Sequence, residues 1–144
     1  MCGIIGYYGN HLSKFVDEPR LNLISHRGPD NTGYWICESG QVALGHKRLS
    51  ILDLSTSGHQ PMISSSNRFI IVFNGEIYNH LKLRQEIDVY KNSKNINFSW
   101  KSSSDTETLL VCFEMWGFED TINKLVGMFS ICLFDKELNT LKLA

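Results

Sequence analysis

The second residue is a cysteine, and that position gives it chemistry that an internal cysteine lacks. Met1 precedes a small side chain, the setting in which an initiator methionine is removed, and removal would leave an α-amine and a thiol on one residue, Cys2. An α-amine has a reference pKa of about 7.7–8.0, so near neutral pH it can take the thiol proton directly or through water. Nucleophile and base are then combined, and no histidine is required. Further along, Asn74-Gly75 follows the apolar run Arg68-Phe69-Ile70-Ile71-Val72-Phe73 and precedes Glu76 to Ile87, where Ile77, Leu81, Leu83 and Ile87 recur at roughly helical spacing. This predicts a strand, a sharp turn and a helix, with the Asn74 side-chain amide and the Gly75 N–H able to point at one oxygen. Such a pair would be an oxyanion hole, and one donor of this kind is worth about 2.7–4 kcal/mol in a barrier. Taken singly, a cysteine near a chain start is more often small buried filler, and Asn-Gly is a common turn. Context has to decide.

The bulk numbers admit one compact domain. Of 144 residues, 42% are hydrophobic and 20% charged, and 14 Lys and Arg against 15 Asp and Glu leave a formal charge of -1. No basic face points to nucleic acid or to an acidic membrane surface. The four cysteines, Cys2, Cys37, Cys112 and Cys132, form no C-x-x-C pair and have no histidine at a zinc-ligand spacing, so neither a metal site nor a disulfide framework is expected. The N-terminal residues lack a secretory pattern, and no run approaches ~18 consecutive apolar residues, so no membrane span is expected and a reducing cytoplasm is the expected compartment.

These candidate groups must be positioned by a layered fold. Cys2 to Tyr8 is a short apolar strand that starts beside the nucleophile, and Pro19 to Ile24 has helix-like spacing. Ser25 to Asn31 is dense in turn formers. Gly33 to Ile36 and Gln41 to His46 predict a hairpin, and Arg48 to Leu54 continues with alternating apolar positions. Tyr90 to Ser104 is polar and loop-like. Ser104 has the character of a helix cap with Glu107 three residues on, ahead of Leu109, Leu110, Phe113 and Trp116, and Gly117 ends that helix. Leu125 to Phe134 and Thr140 to Ala144 complete the strands. Strands early and late with amphipathic helices between them predict an α+β layered fold whose layer order is not legible from pattern alone.

Five blocks carry a family resemblance: Met1-Cys2-Gly3-Ile4-Ile5-Gly6, His26-Arg27-Gly28-Pro29-Asp30, Arg48-Leu49-Ser50-Ile51-Leu52-Asp53, Asn74-Gly75-Glu76-Ile77-Tyr78-Asn79 and Ser104-Asp105-Thr106-Glu107. In this order and at these separations the chain resembles the class II glutamine amidotransferase domain of glutamine-dependent asparagine synthetases. The resemblance implies an N-terminal-nucleophile hydrolase fold, an αββα sandwich of two antiparallel sheets between helix layers. It implies one domain over residues 1–144, continuing past Ala144 in relatives, so that the chain looks truncated. By resemblance Cys2 attacks the glutamine side-chain amide, and Asn74 and Gly75 stabilise the tetrahedral intermediate. Arg48 takes the α-carboxylate, which its planar fork suits better than the ammonium of Lys47. Glu76 and Asp105 hold the α-ammonium, and the backbone of Leu49, Ser50, Ile51 and Leu52 lies along the substrate. The His26 to Asp30 loop would pack near the nucleophile and close over glutamine, with His26 not a base. His11, His46, His59 and His80 have no matching carboxylate or ligand pattern and are expected to be structural or exposed, and Trp35, Trp100 and Trp116 to pack.

The implied partners are L-glutamine and a synthetase domain outside these 144 residues, which would take the ammonia and use ATP and Mg²⁺ to amidate aspartate. No phosphate-binding loop occurs in this sequence, and no metal is expected in it. The resemblance leaves room for a homodimer. Two rival readings remain: an amidotransferase for a sugar or cell-surface polymer intermediate, and a non-catalytic module that keeps the fold. Asn74-Gly75-Glu76-Ile77-Tyr78-Asn79 favours the synthetase branch. The intact set Cys2, Arg48, Asn74, Gly75, Glu76 and Asp105 disfavours a decayed site.

Overall fold

The structure is a computed structural model and describes residues 2–10, 18–49 and 58–144. Strand β1 (Gly3–Tyr8) starts one residue after Cys2. A short helix α1 (Glu18–Asn22) and a 3-10 turn (Ser25–Arg27) lead into the hairpin of β2 (Asn31–Ile36) and β3 (Val42–Arg48). β1 pairs with the free edge of β3, giving an antiparallel sheet of order β1-β3-β2. The second sheet holds β4 (Met62–Ile63), β5 (Phe69–Ile77), β6 (Gly127–Asp135) and β7 (Thr140–Leu143), antiparallel and in that order. Helices α2 (His80–Ser93) and α3 (Asp105–Lys124) lie between β5 and β6 in the chain.

Side-chain alternation along the strands sets the layers. Phe69, Ile71 and Phe73 of β5, with Ile131 and Leu133 of β6, pack on Leu83 and Ile87 of α2 and Leu109, Leu110 and Phe113 of α3. The residues between them, Ile70, Val72, Cys132 and Phe134, turn the other way and meet Val42 and Leu44 of β3, with Ile4 and Trp35 at the margin. Ala43, Ile5 and Tyr7 face outward onto Leu21 and Ile24. The order is therefore helix and 3-10 turn, sheet, sheet, helix pair, which is the αββα arrangement expected. β3 is buried along its whole length because both of its faces are covered.

Local chemistry explains the helix ends. The Ser104 side chain accepts a hydrogen bond from the Thr106 amide (3.1 Å), and Asp105 and Glu107 place negative charge in the first turn of α3. Glu107 does not close a capping box. Its carboxylate instead accepts from the amides of Lys101 and Ser102 and from the Ser102 hydroxyl, pinning the preceding loop. Gly117, at φ 76°, interrupts α3 at the expected place, and helix resumes up to Lys124.

Two expectations are corrected. Asn74-Gly75 is no turn: β5 runs through both residues to Ile77, paired with Ser130 and Phe129 of β6, and α2 begins only at His80. The local Asn-Gly signal is overridden by a nine-residue partner strand. The helix after it also runs further, to Ser93, so that only the later part of the polar 90–104 stretch is loop. There Arg84 lies over Trp100, 4.1 Å from the ring centroid, and donates to the carbonyls of Ser102 and Ser104.

Candidate active site

The apolar filling of the gap between the sheets gives way to polar groups at one end. Cys2 continues the inward-facing positions Ile4 and Gly6 of β1, His46 and Arg48 continue Val42 and Leu44 of β3, and Asn74 continues Ile70 and Val72 of β5. The β1–β3 register pairs Gly3 with Lys47, which sets Cys2 beside Arg48 and Leu49. A cavity of about 280 Å³ opens there, lined among others by Cys2, Arg48, Leu49, Asn74, Gly75, Glu76 and Asp105. That volume suits a small molecule rather than a polymer.

The Cys2 sulfur is half-buried and oriented by the Leu49 backbone, whose amide donates to it at 3.4 Å. The other thiols are elsewhere. Burial pushes Cys112 up to about 12 and Cys132 up to about 11, so both stay protonated in the core. Burial also acts to raise the Cys37 thiol, but hydrogen bonds from Ser39 and from the backbone of Val42, Gln41 and Gly40 outweigh it and leave it lowered; Cys37 sits in the β2–β3 connection, away from the cavity.

Gly75 has φ +154°, and a Cβ there would run into the Met128 carbonyl oxygen and the Phe129 backbone. Only glycine fits between this strand and β6 at the cavity wall. Arg48 is 8% exposed and packs under Gly58, where a Cβ would collide with its guanidinium. Lys47 points to the opposite face and donates to Asn22 (2.8 Å) and Thr32 (2.6 Å), so it takes no part in the cavity. Asp105 accepts from the Ile77 amide at 3.1 Å. Burial raises its pKa against the lowering effects of that hydrogen bond and of His80, and the nearby Glu76 charge adds to the rise. A site with one buried guanidinium and two carboxylates matches a zwitterion carrying an ammonium.

Ser50, Ile51 and Leu52 lie outside the described residues, as does His11. The His26 to Asp30 loop packs against the end of β3: the Asp30 amide donates to the Arg48 carbonyl, and a Cβ at Gly28 would collide with the Lys47 and Arg48 backbone. None of its residues lines the cavity, and His26 is exposed.

Several cavity residues carry no site role in the sequence reading, among them Gln60, His46 and His80. Gln60 is buried, accepts from the Phe73 amide at 2.6 Å and donates to Thr106 at 3.3 Å, tying the residue before Asn74 to the residue after Asp105. His46 and His80, expected to be structural or exposed, both line the cavity. Burial lowers the His46 pKa to about 4, with His59 and Arg48 adding to the shift against the Phe73 backbone, so the imidazole is neutral near pH 7. The signal for His46 was its spacing of two from Arg48, which puts both on one face of a strand.

Comparison with known proteins agrees with this geometry. A family model described as a glutamine amidotransferase domain matches residues 1–144. The chain is 36% identical over 142 residues to asparagine synthetase [glutamine-hydrolyzing] 1 of Bacillus subtilis, covering 94% of this chain and 21% of that protein. It is also 36% identical over 155 residues to putative asparagine synthetase [glutamine-hydrolyzing] 2 of Methanocaldococcus jannaschii, covering 95% and 28%. The chain thus spans between a fifth and three tenths of the length of these relatives. Among solved structures, glutamine phosphoribosylpyrophosphate amidotransferase from B. subtilis shares the fold, with a TM-score of 0.69 at 19% identity over 92% of this chain and 35% of that one. Its N-terminal-nucleophile hydrolase fold is the two-sheet sandwich seen here. With a matching family model along its whole length and that fold beneath it, the chain belongs to the glutamine amidotransferase domain family.

Proposed function

We propose that this chain hydrolyses the side-chain amide of glutamine, with Cys2 as nucleophile. The observation that carries the reading is that one cavity gathers Cys2, Arg48, Asn74, Gly75, Glu76 and Asp105, drawn from four separate stretches of chain. Arg48 takes the α-carboxylate, and Glu76 and Asp105 take the α-ammonium, which fixes the carboxamide near the sulfur. After Met1 is removed, the Cys2 α-amine accepts the thiol proton as sulfur attacks the amide carbon. Asn74 and Gly75 face the oxygen on which charge develops. The proton passes to the leaving nitrogen, ammonia departs, and water cleaves the γ-glutamyl thioester to glutamate and free thiol.

The kinship with glutamine-hydrolysing asparagine synthetases supports a larger assignment for the whole protein: ammonia passed to a synthetase part that amidates aspartate with ATP and Mg²⁺, in the cytoplasm. Among the described residues no group of three His, Cys, Asp or Glu side chains could hold a metal ion, and no step above runs through ATP or Mg²⁺. Among those residues, too, no helix is long and apolar enough to cross a membrane. The test is glutamate release from glutamine by the whole protein, beside Cys2→Ala. Equal release by the two proteins overturns the role of Cys2. Asparagine formation from aspartate, ATP and Mg²⁺ tests the acceptor.

A further inference from the structure

We propose that His46 is a second recognition group of this site, hydrogen-bonding the bound glutamine through ring nitrogens that find no partner within the protein. The inference rests on the glutamine reading of the cavity and adds to it a residue that no sequence block singled out.

The distribution of unsatisfied polar atoms points to it. Among the described residues, five buried side-chain nitrogens and oxygens have no hydrogen-bond partner: both ring nitrogens of His46, Asn74 Oδ1, His80 Nδ1 and Thr121 Oγ1. Four of the five belong to residues that line the one cavity containing Cys2. Orphaned buried polar atoms are uncommon because each forfeits its water without compensation, so a cluster of them around a cavity marks where a polar ligand belongs. His46 is the extreme case, 1% exposed with both nitrogens unmatched. The Phe73 backbone lies close enough to favour a ring proton, yet the contact lacks hydrogen-bond geometry.

The placement is also right for the amino-acid end of the substrate. His46 and Arg48 share the inward face of β3, and two residues of strand separate them by about 6.6–6.8 Å. A neutral imidazole carries one donor and one acceptor. It can therefore add a donor to a carboxylate held by Arg48 without bringing a second positive charge next to the guanidinium.

The experiment measures glutamine binding by calorimetry to the whole protein carrying Cys2→Ala, which cannot turn the ligand over, with His46 intact or changed to Leu, Asn or Gln. His46→Leu is expected to bind glutamine about tenfold or more weakly. Asn or Gln, which restore a hydrogen-bonding group at one or other ring-nitrogen position, is expected to recover part of the loss. The unliganded melting temperature of His46→Leu is expected to be unchanged or higher, since a partnerless polar group leaves the core. Unchanged affinity in His46→Leu overturns the proposal and leaves the glutamine reading intact. So does a lowered unliganded melting temperature, which would show that the imidazole serves the empty fold, and so does the lack of any recovery by Asn or Gln. If the parent with His46 intact binds no glutamine, the underlying reading falls and this inference with it.

Discussion

The backbone amide of Leu49 donates a hydrogen bond to the sulfur of Cys2 across 3.4 Å, linking the end of the strand that carries Arg48 to the residue proposed as the nucleophile. The sulfur is thereby tied to the backbone of the residue next to Arg48 rather than to a mobile side chain. Cys2→Ala removes the attacking atom, and glutamate release is expected to fall by about 10³-fold or more. A form that retains Met1 is expected to lose turnover equally while keeping its fold, because its α-nitrogen is an amide and cannot accept a proton. Mass spectrometry of the N-terminus beside a glutaminase assay and circular dichroism checks both.

Adjacent residues on β3 are expected to behave oppositely. Arg48→Lys keeps a charge but loses the planar fork, and KM for glutamine is expected to rise about tenfold or more with a smaller change in kcat. Lys47→Ala loses two hydrogen bonds on the far face, to Asn22 and Thr32. A loss of about 1–3 kcal/mol in unfolding free energy, with KM unchanged, is expected. Urea titration and steady-state kinetics on the two variants separate these effects.

Gly75→Ala tests the cavity wall. The added Cβ meets the Met128 carbonyl and the Phe129 backbone in a region of positive φ, so β5 must shift away from β6 just where Asn74 is aimed. Strain of this kind costs about 1–3 kcal/mol. The expected result is a lowered melting temperature together with a loss in kcat larger than any change in KM, because the developing oxyanion rather than the bound ground state suffers.

Acid should reveal the buried imidazole. His46 takes up a proton near 6.5 when unfolded but only at about 4 in the fold, so between those values the unfolded chain binds more protons and stability rises with pH. Its contribution is complete above about 6.5 and is lost on acidification towards 4, on the order of 3 kcal/mol across the window. His46→Leu has no imidazole to protonate and so escapes this acid-induced loss. The difference in unfolding free energy between the two proteins, followed by denaturant titration from pH 7 down to 4, is expected to shift progressively in favour of the variant. A pH-independent difference would refute the assignment.

Much of the lining of the candidate site is legible in the sequence. Cys2, Arg48, Asn74, Gly75, Glu76 and Asp105 stand in four of the five sequence blocks, and all six line one cavity. Short-range chemistry was legible too: the Ser104 cap and the Gly117 break depend on residues within a turn of each other. The continuation of β5 through Asn74-Gly75 was not, because whether Asn-Gly turns or extends depends on β6, more than fifty residues away in the chain, which supplies the partner for every residue from Phe69 to Ile77.

Residue types and their order in the chain pointed to the chemistry proposed for this protein and to the groups proposed to perform it. Only the tertiary structure decided which faces of the strands meet. β3 is buried on both sides, so no alternation of polar and apolar residues reveals its inward face, and the sense in which His46 and Arg48 point to the cavity while Lys47 points away follows from its register with β1 and β2. A one-residue slip would exchange them, since side chains alternate across a strand. Which group reaches the sulfur is therefore a property of pairing between strands distant in sequence, and no local pattern encodes it.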